Sequence, residues 1–214
     1  MTGSAEVAGR HPNAGNMPYG MEWHEAGRSS EAAGRVRAMS TVDYMKQALR
    51  FINRGFAEAD ADLTDDQLHF VPEGQTHSIA WCMWHAARIE DFFFQRVYGG
   101  GQEEWRTGGW AERCGLPDKG FGTGQSTEDA QAVHIADRAA FKAYQSTVHD
   151  LAMAYFDTLT DADLDRETKL GETVESLGQS INLHLTVHLN GHRGEVNLLR
   201  GMMGFPPVLA NQGG

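Results

Sequence analysis

The stretch INLHLTVHLNGHRGEVNLLR, residues 181–200, decides how the chain is read. His184, His188 and His192 recur every fourth residue. On an α-helix each such step turns about 40° around the axis and rises about 6 Å, so neighbouring imidazoles share a face. Two neutral imidazoles one turn apart are the usual helical way of offering a divalent metal two nitrogen ligands while leaving other positions open. The spacing alone is a weak motif, since ten histidines in 214 residues give roughly half of one such pair by chance. Context strengthens it. Leu183, Val187, Val196, Leu198 and Leu199 make the periphery of the segment apolar, and histidines in an apolar helix cost desolvation unless something binds them.

Outward from this stretch, a helix is expected from about Thr173 through Arg200, closed by Gly204-Phe205-Pro206-Pro207. Upstream, Ser126 or Thr127 opens a helix that runs through Phe141, Tyr144, Val148 and Phe156 to about Leu159. Thr160-Asp161-Ala162-Asp163-Leu164 then repeats the sense of Leu63 to Leu68, a polar capped turn after a helix. A further helix opens near His77-Ser78 and runs to Val97; it is apolar almost all round at its start, as an interior helix is, and His85 sits in its middle. The first helix has Ser40 or Thr41 as cap, Asp43 in its first turn, and Tyr44, Met45, Ala48, Leu49, Ile52 and Phe56 at helical spacing. Leu68 and Phe70 are expected to pack on the core. Residues 98–125 read as a glycine-rich loop without regular structure, in which Trp105, Trp110 and Phe121 either line a pocket mouth or pin the loop down. Four long helices and no convincing strand predict an all-α four-helix bundle with long connections.

A chain with 41% hydrophobic residues fills one core. Residues 1–38, rich in Gly, Ala, Ser and Arg, read as an arm whose segment Met17–His24 covers a groove or a partner subunit, or as residues ahead of a native start at Met39; residues 39–214 read as the bundle domain. The formal net charge of -11 argues against a nucleic-acid partner or an anionic membrane and for a small-molecule substrate. With neither a membrane span nor an apolar signal core, a cytoplasmic protein is expected. Cys82 reads as core and Cys114 as a bystander.

The ordered motifs Trp81-x-x-Trp84-His85-Ala86-Ala87-Arg88-Ile89-Glu90-Asp91, the two Leu-Thr-Asp-type turns, and His188-x-x-x-His192-Arg193-Gly194-Glu195 with its trailing Leu-Leu-Arg-Gly resemble the DinB/YfiT-like metalloenzyme superfamily over about residues 39–205. The resemblance implies a facial metal triad of His85, His188 and His192, an up-down-down-up bundle, and a homodimer. Geometry agrees with that pair, because His184 and His192 lie about 12 Å apart along the axis and cannot share one ion. Gly191 and Gly194 flank it, which suggests that space or backbone closeness beside His192 is wanted. His184 is then a group beside the site or facing substrate, or a satisfied core histidine.

Glu195 lies on nearly the same face as His188 and His192 and could hold a ligand imidazole or act on a metal-bound group; otherwise it pairs with Arg200 or solvent. Arg88, one turn from His85, could clamp a substrate carboxylate or satisfy Glu90 or Asp91. The divalent ion is zinc first, with iron or nickel as alternatives. The resemblance further implies a transferase that uses a low-molecular-weight thiol such as mycothiol. Alternatives are a thiol-dependent isomerase of a maleylpyruvate-like diacid, iron-dependent oxidative sulfur chemistry, and a metal-binding protein without catalysis.

Overall fold

The computed structural model describes residues 38–75 and 77–208. Apart from Ala38, the arm expected over residues 1–38 lies outside them.

Four helices carry the architecture. Helix α1, Thr41–Glu58, is capped by the Ser40 side chain, which accepts from the Asp43 amide; it buries Val42, Lys46, Leu49, Ile52 and Phe56, spaced by three or four residues. Tyr44, expected on that face, is 63% exposed. The capped turn Asp65–Leu68 forms with Thr64 and Gln67 as a reciprocal capping box. It buries Leu68, whereas Phe70 stays 41% exposed.

Helix α2, Ile79–Asp91, is capped by Ser78, and all thirteen of its residues are buried. It runs on at π pitch over Phe92–Tyr98. Helix α3, Arg138–Phe156, is shorter than the sequence suggested. Ser126 does cap a helix, but only Thr127–Gln131. A break follows in which the Ile135 amide donates to His69 Nε2, and Asp137 caps the second start by accepting from the Ala140 amide. Two capping side chains eleven residues apart make two helices where periodicity alone implied one.

The start of the last helix also differs. Strands β1, Glu167–Leu170, and β2, Thr173–Ser176, pair antiparallel with Leu170 opposite Thr173. Their two-residue turn places Gly171 at φ +60°, the left-handed conformation such hairpins require. Ser176 ends β2 and caps helix α4 through a box with Gln179. Helix α4 opens as Leu177–Ser180, widens to π pitch over Ile181–Val187, and resumes as His188–Met202. Helices α1 and α2 each pack against both α3 and α4, so the hydrocarbon of all four meets in one core. The fold is all-α apart from this hairpin. Among the described residues no helix is long and apolar enough to cross a membrane.

Residues 99–137 are more regular than their glycines implied, with helical turns Glu104–Thr107 and Trp110–Cys114. Asp91, at the end of α2, accepts from the amides of Glu104 and Trp105, both at 2.8 Å, and so caps the first turn from outside it. Trp105 is fully buried with its indole N–H on the Pro117 carbonyl, and Trp110 is 6% exposed. These two tryptophans pin the loop.

Candidate metal centre

Helices α2 and α4 bring His85, His188 and His192 together. His85 Nε2 lies 3.2 Å from His188 Nε2, and His192 Nε2 lies 3.0 Å from the same atom. The other nitrogen of each ring is spoken for. His85 Nδ1 donates to the Phe121 backbone carbonyl. His192 Nδ1 donates to Glu195 Oε2 at 3.0 Å. The His188 ring donates to the backbone of His184.

That last bond depends on the π-helical turn. The His188 amide bonds the Leu183 carbonyl, five residues back, and not that of His184. The His184 carbonyl is therefore not claimed by the His188 amide, as α pitch would have it.

A neutral imidazole carries one N–H. With all three protons committed to acceptors outside the triad, three bare Nε2 lone pairs face one another, and no hydrogen bond can relieve them. Such an arrangement is repulsive without a cation at its centre, and separations of 3.0 and 3.2 Å suit nitrogens each about 2.0–2.1 Å from a shared ion. The residues therefore fit a divalent metal, with every ring oriented by a hydrogen bond from behind. Burial and the neighbouring imidazoles lower the pKa of His85 to about 3, and the same causes lower that of His188, so both stay neutral at physiological pH. His85 is buried, the His192 side chain is 11% exposed, and His188 is half-buried.

Glu195 is the hub behind the triad. Besides His192, its Oε2 lies 3.3 Å from His77 Nδ1 and 3.5 Å from Cys82 Sγ. The hydrogen bond from His192 leads the causes that hold its carboxyl at about 2, so it is ionised. Of the roles foreseen for it, holding a ligand imidazole is the one this geometry displays; Arg200 instead forms a two-pronged pair with Asp62. Glu195, His77, Cys82 and His192 could also be taken for metal ligands, but one carboxylate receiving three donors satisfies them without an ion.

Sequence reading missed the supports of His85. His77, Trp81 and His85 repeat the every-fourth-residue spacing of the last helix, and their rings stack with centroids 3.7 Å and 4.6 Å apart. That column was visible in the residues. The strap across it was not: Gln125 accepts from the Trp81 indole N–H at 2.9 Å, and Gly122, at φ +98°, passes so close that a Cβ there would lie 2.5 Å from His85 Nδ1. Gly191 and Gly194 have no such role, because a Cβ on either meets nothing within 4 Å.

Arg88 and His184 do not join the triad. Arg88 is 2% exposed; its two terminal nitrogens bond Asp91, Tyr144, Glu103 and the Gly120 carbonyl, and only the Nε, buried in the core, has no partner, so the two-pronged face is not open to a substrate carboxylate. The His184 ring bonds Glu175 of β2 at 2.9 Å and stacks on Phe93, so it ties the hairpin to the bundle, while its backbone serves His188. A third grouping, Asp65, His69 and His134, is a poor ion site. Both His69 nitrogens are used, one on the Asp65 carbonyl and one by the Ile135 amide.

A family model described as the DinB superfamily matches residues 48–196. Among solved structures, a conserved protein from Enterococcus faecalis superposes with a TM-score of 0.64 at 22% identity, covering 78% of this chain and 99% of that one. At that identity the likeness speaks for the fold alone. No curated protein matches the chain.

Proposed function

The chain belongs to the DinB superfamily, and on that premise we propose that it is a metal-dependent transferase that activates a low-molecular-weight thiol, of the mycothiol kind, for attack on an electrophilic small molecule. The observation that carries this reading is the set of three bare Nε2 atoms aimed at one point. His85, His188 and His192 would hold the ion, with zinc the first choice for a site of neutral imidazoles. Such an ion, when bound, supplies a Lewis acid that keeps a thiol deprotonated near neutral pH.

The chain's own residues do the rest. Glu195, ionised, keeps the His192 proton on Nδ1; the Phe121 carbonyl does the same for His85. The sulfur's electron pair then forms the new C–S bond, and the leaving group departs with the pair of the bond that breaks.

The protein's two cysteines support an external thiol. Burial pushes the Cys82 thiol well up, with the Glu195 charge adding to it, and burial raises Cys114 to about 11. Neither is a ready nucleophile. The isomerase alternative loses the residue that motivated it, since Arg88 is engaged within the core.

Two measurements test the proposal. Elemental analysis should find one divalent ion per chain in the wild type and none in His188→Ala; equal content would remove this residue from the site. The metal-loaded protein should then consume thiol in a panel pairing mycothiol, bacillithiol and glutathione with alkylating electrophiles. No consumption across the panel would end the transferase reading.

A further inference from the structure

A cleft of about 370 Å³ lies between α1 and α3, on a different helix pair from the triad. Its volume falls within the range of small-molecule sites, about 300–1,000 Å³. Arg50, Asn53 and Arg54 line it from α1, and Lys142, Gln145 and His149 face them from α3. The lining holds three fixed cations and no carboxylate, in a chain whose formal net charge is -11. Helices in contact ordinarily set opposite charges across such a groove, because facing cations repel.

The acids that pair with Lys142 and His149 sit out of reach of a ligand. Lys142 pairs at 2.9 Å with Asp60, whose side chain is 4% exposed, and His149 pairs at 3.2 Å with Glu90, which is 1% exposed. Arg50, exposed on the opposite wall, has no hydrogen-bond or ion-pair partner among the described residues. Gln145 adds an independent sign. Its Oε1 is buried and accepts no hydrogen bond, a state that costs about 1–3 kcal/mol unless a donor arrives.

We propose that this cleft binds a small hydroxylated organic anion, a phosphate ester or hydroxycarboxylate. Its charged end lies against Arg50 and the Lys142 ammonium, and one of its hydroxyls donates to Gln145 Oε1 once that half-buried side chain turns into the cleft it lines. A guanidinium presents the planar fork that both phosphate and carboxylate match, and the cations alone would not choose between a bare anion and a hydroxylated one. Gln145 makes that choice. The site is independent of the metal reading, and neither falls with the other.

Isothermal titration of the full-length protein at low ionic strength, where exposed charges are least screened, tests it with four probes. Glucose 6-phosphate and citrate carry both features and separate phosphate from carboxylate. Pyrophosphate carries charge alone, and glucose hydroxyls alone. Saturable binding is expected for at least one of the first two, at least about tenfold tighter than for pyrophosphate or glucose, as the loss of one hydrogen bond to a charged or buried group implies. Arg50→Gln, which disturbs no internal bond, should weaken it by a similar factor, Gln145→Leu should erase the preference over pyrophosphate, and His188→Ala should leave it unchanged. Absence of saturable binding to both glucose 6-phosphate and citrate, equal affinity in Arg50→Gln, or loss of binding in His188→Ala would overturn the proposal.

Discussion

Two polar clusters share helix α2, three residues apart, and they are built on opposite rules. Around Arg88, donors meet acceptors at every atom but its buried Nε: the guanidinium's terminal nitrogens meet Asp91, Glu103 and Tyr144, and Asp91 also takes the amides of Glu104 and Trp105. Around His85 they do not match, because three acceptors point at one another while their protons are held elsewhere. Burial is common to both. What separates a structural cluster from one that wants a ligand is the surplus of one hydrogen-bonding sense.

The largest effect that would sharpen this contrast is on stability. Arg88→Met should destabilise the protein by about 3–5 kcal/mol, since it leaves Asp91 and Glu103 buried without their cation. Urea unfolding should show the same loss with and without metal. Retained stability with turnover abolished would instead restore Arg88 as a substrate clamp.

Gly122→Ala should act only on the other cluster. Its Cβ would collide with the His85 ring, and disturbing the support of a metal-binding histidine typically lowers affinity about 10- to 100-fold. Competition with a chromophoric chelator reads that out; the metal-free protein should also lose about 1–3 kcal/mol in urea unfolding, because alanine is strained at φ +98°.

The response to acid separates the clusters by sign. In the unfolded chain His85 and His188 titrate near 6.5, but folded His85 is held at about 3 and His188 is also lowered, in both cases first by burial. The unfolded state therefore binds more protons below that value. Stability of the chelated protein should be flat above about pH 6.5 and fall below it toward pH 3, with a slope of up to about 1.4 kcal/mol per pH unit for each histidine. Asp91 runs the other way. Burial raises its folded pKa, so folded protein takes up that proton first and its contribution is lost only as pH rises through the folded value. Urea midpoints measured from pH 4 to 8 on metal-free protein check the net slope, and a curve that stays level below pH 6.5 would contradict the neutral, buried histidines.

The smallest effect concerns the glycines beside His192. Gly191→Ala and Gly194→Ala should each stabilise α4 by up to about 1 kcal/mol, the helix-interior difference between the two residues, because the space beside them is open. Thermal melts with unchanged metal content would show it; a drop in metal content would mean that the spacing around His192 was needed after all.

The helices of the bundle and the three convergent histidines were legible because both depend on period: apolar residues at three or four, imidazoles at four. Boundaries were less so. The break before Asp137 and the hairpin before Leu177 depend on a second capping side chain and on one left-handed glycine, Gly171, and a periodicity reading passes over both. The supports of the site divide in the same way. His77 and Trp81 stand at the helical interval from His85 and were there to be read, whereas the Phe121 carbonyl and the approach of Gly122 belong to a loop whose path no local pattern encodes. Arg88 was read by its distance from His85 along the helix, and proximity in sequence did not reveal the carboxylates waiting for it.

The widened turn at Ile181–Val187 has one more consequence. A π turn accommodates a residue beyond what α pitch would hold over the same rise. It absorbs that residue as a bulge between the half of α4 anchored at the hairpin and the half that carries the imidazoles. Deleting a single residue there, Thr186 for example, would make Leu183 the fourth residue before His188, so the amide bond between them would persist at ordinary α pitch; positions 188 and 192 would stay in phase, while the bulge that leaves the His184 carbonyl to the His188 ring would be gone.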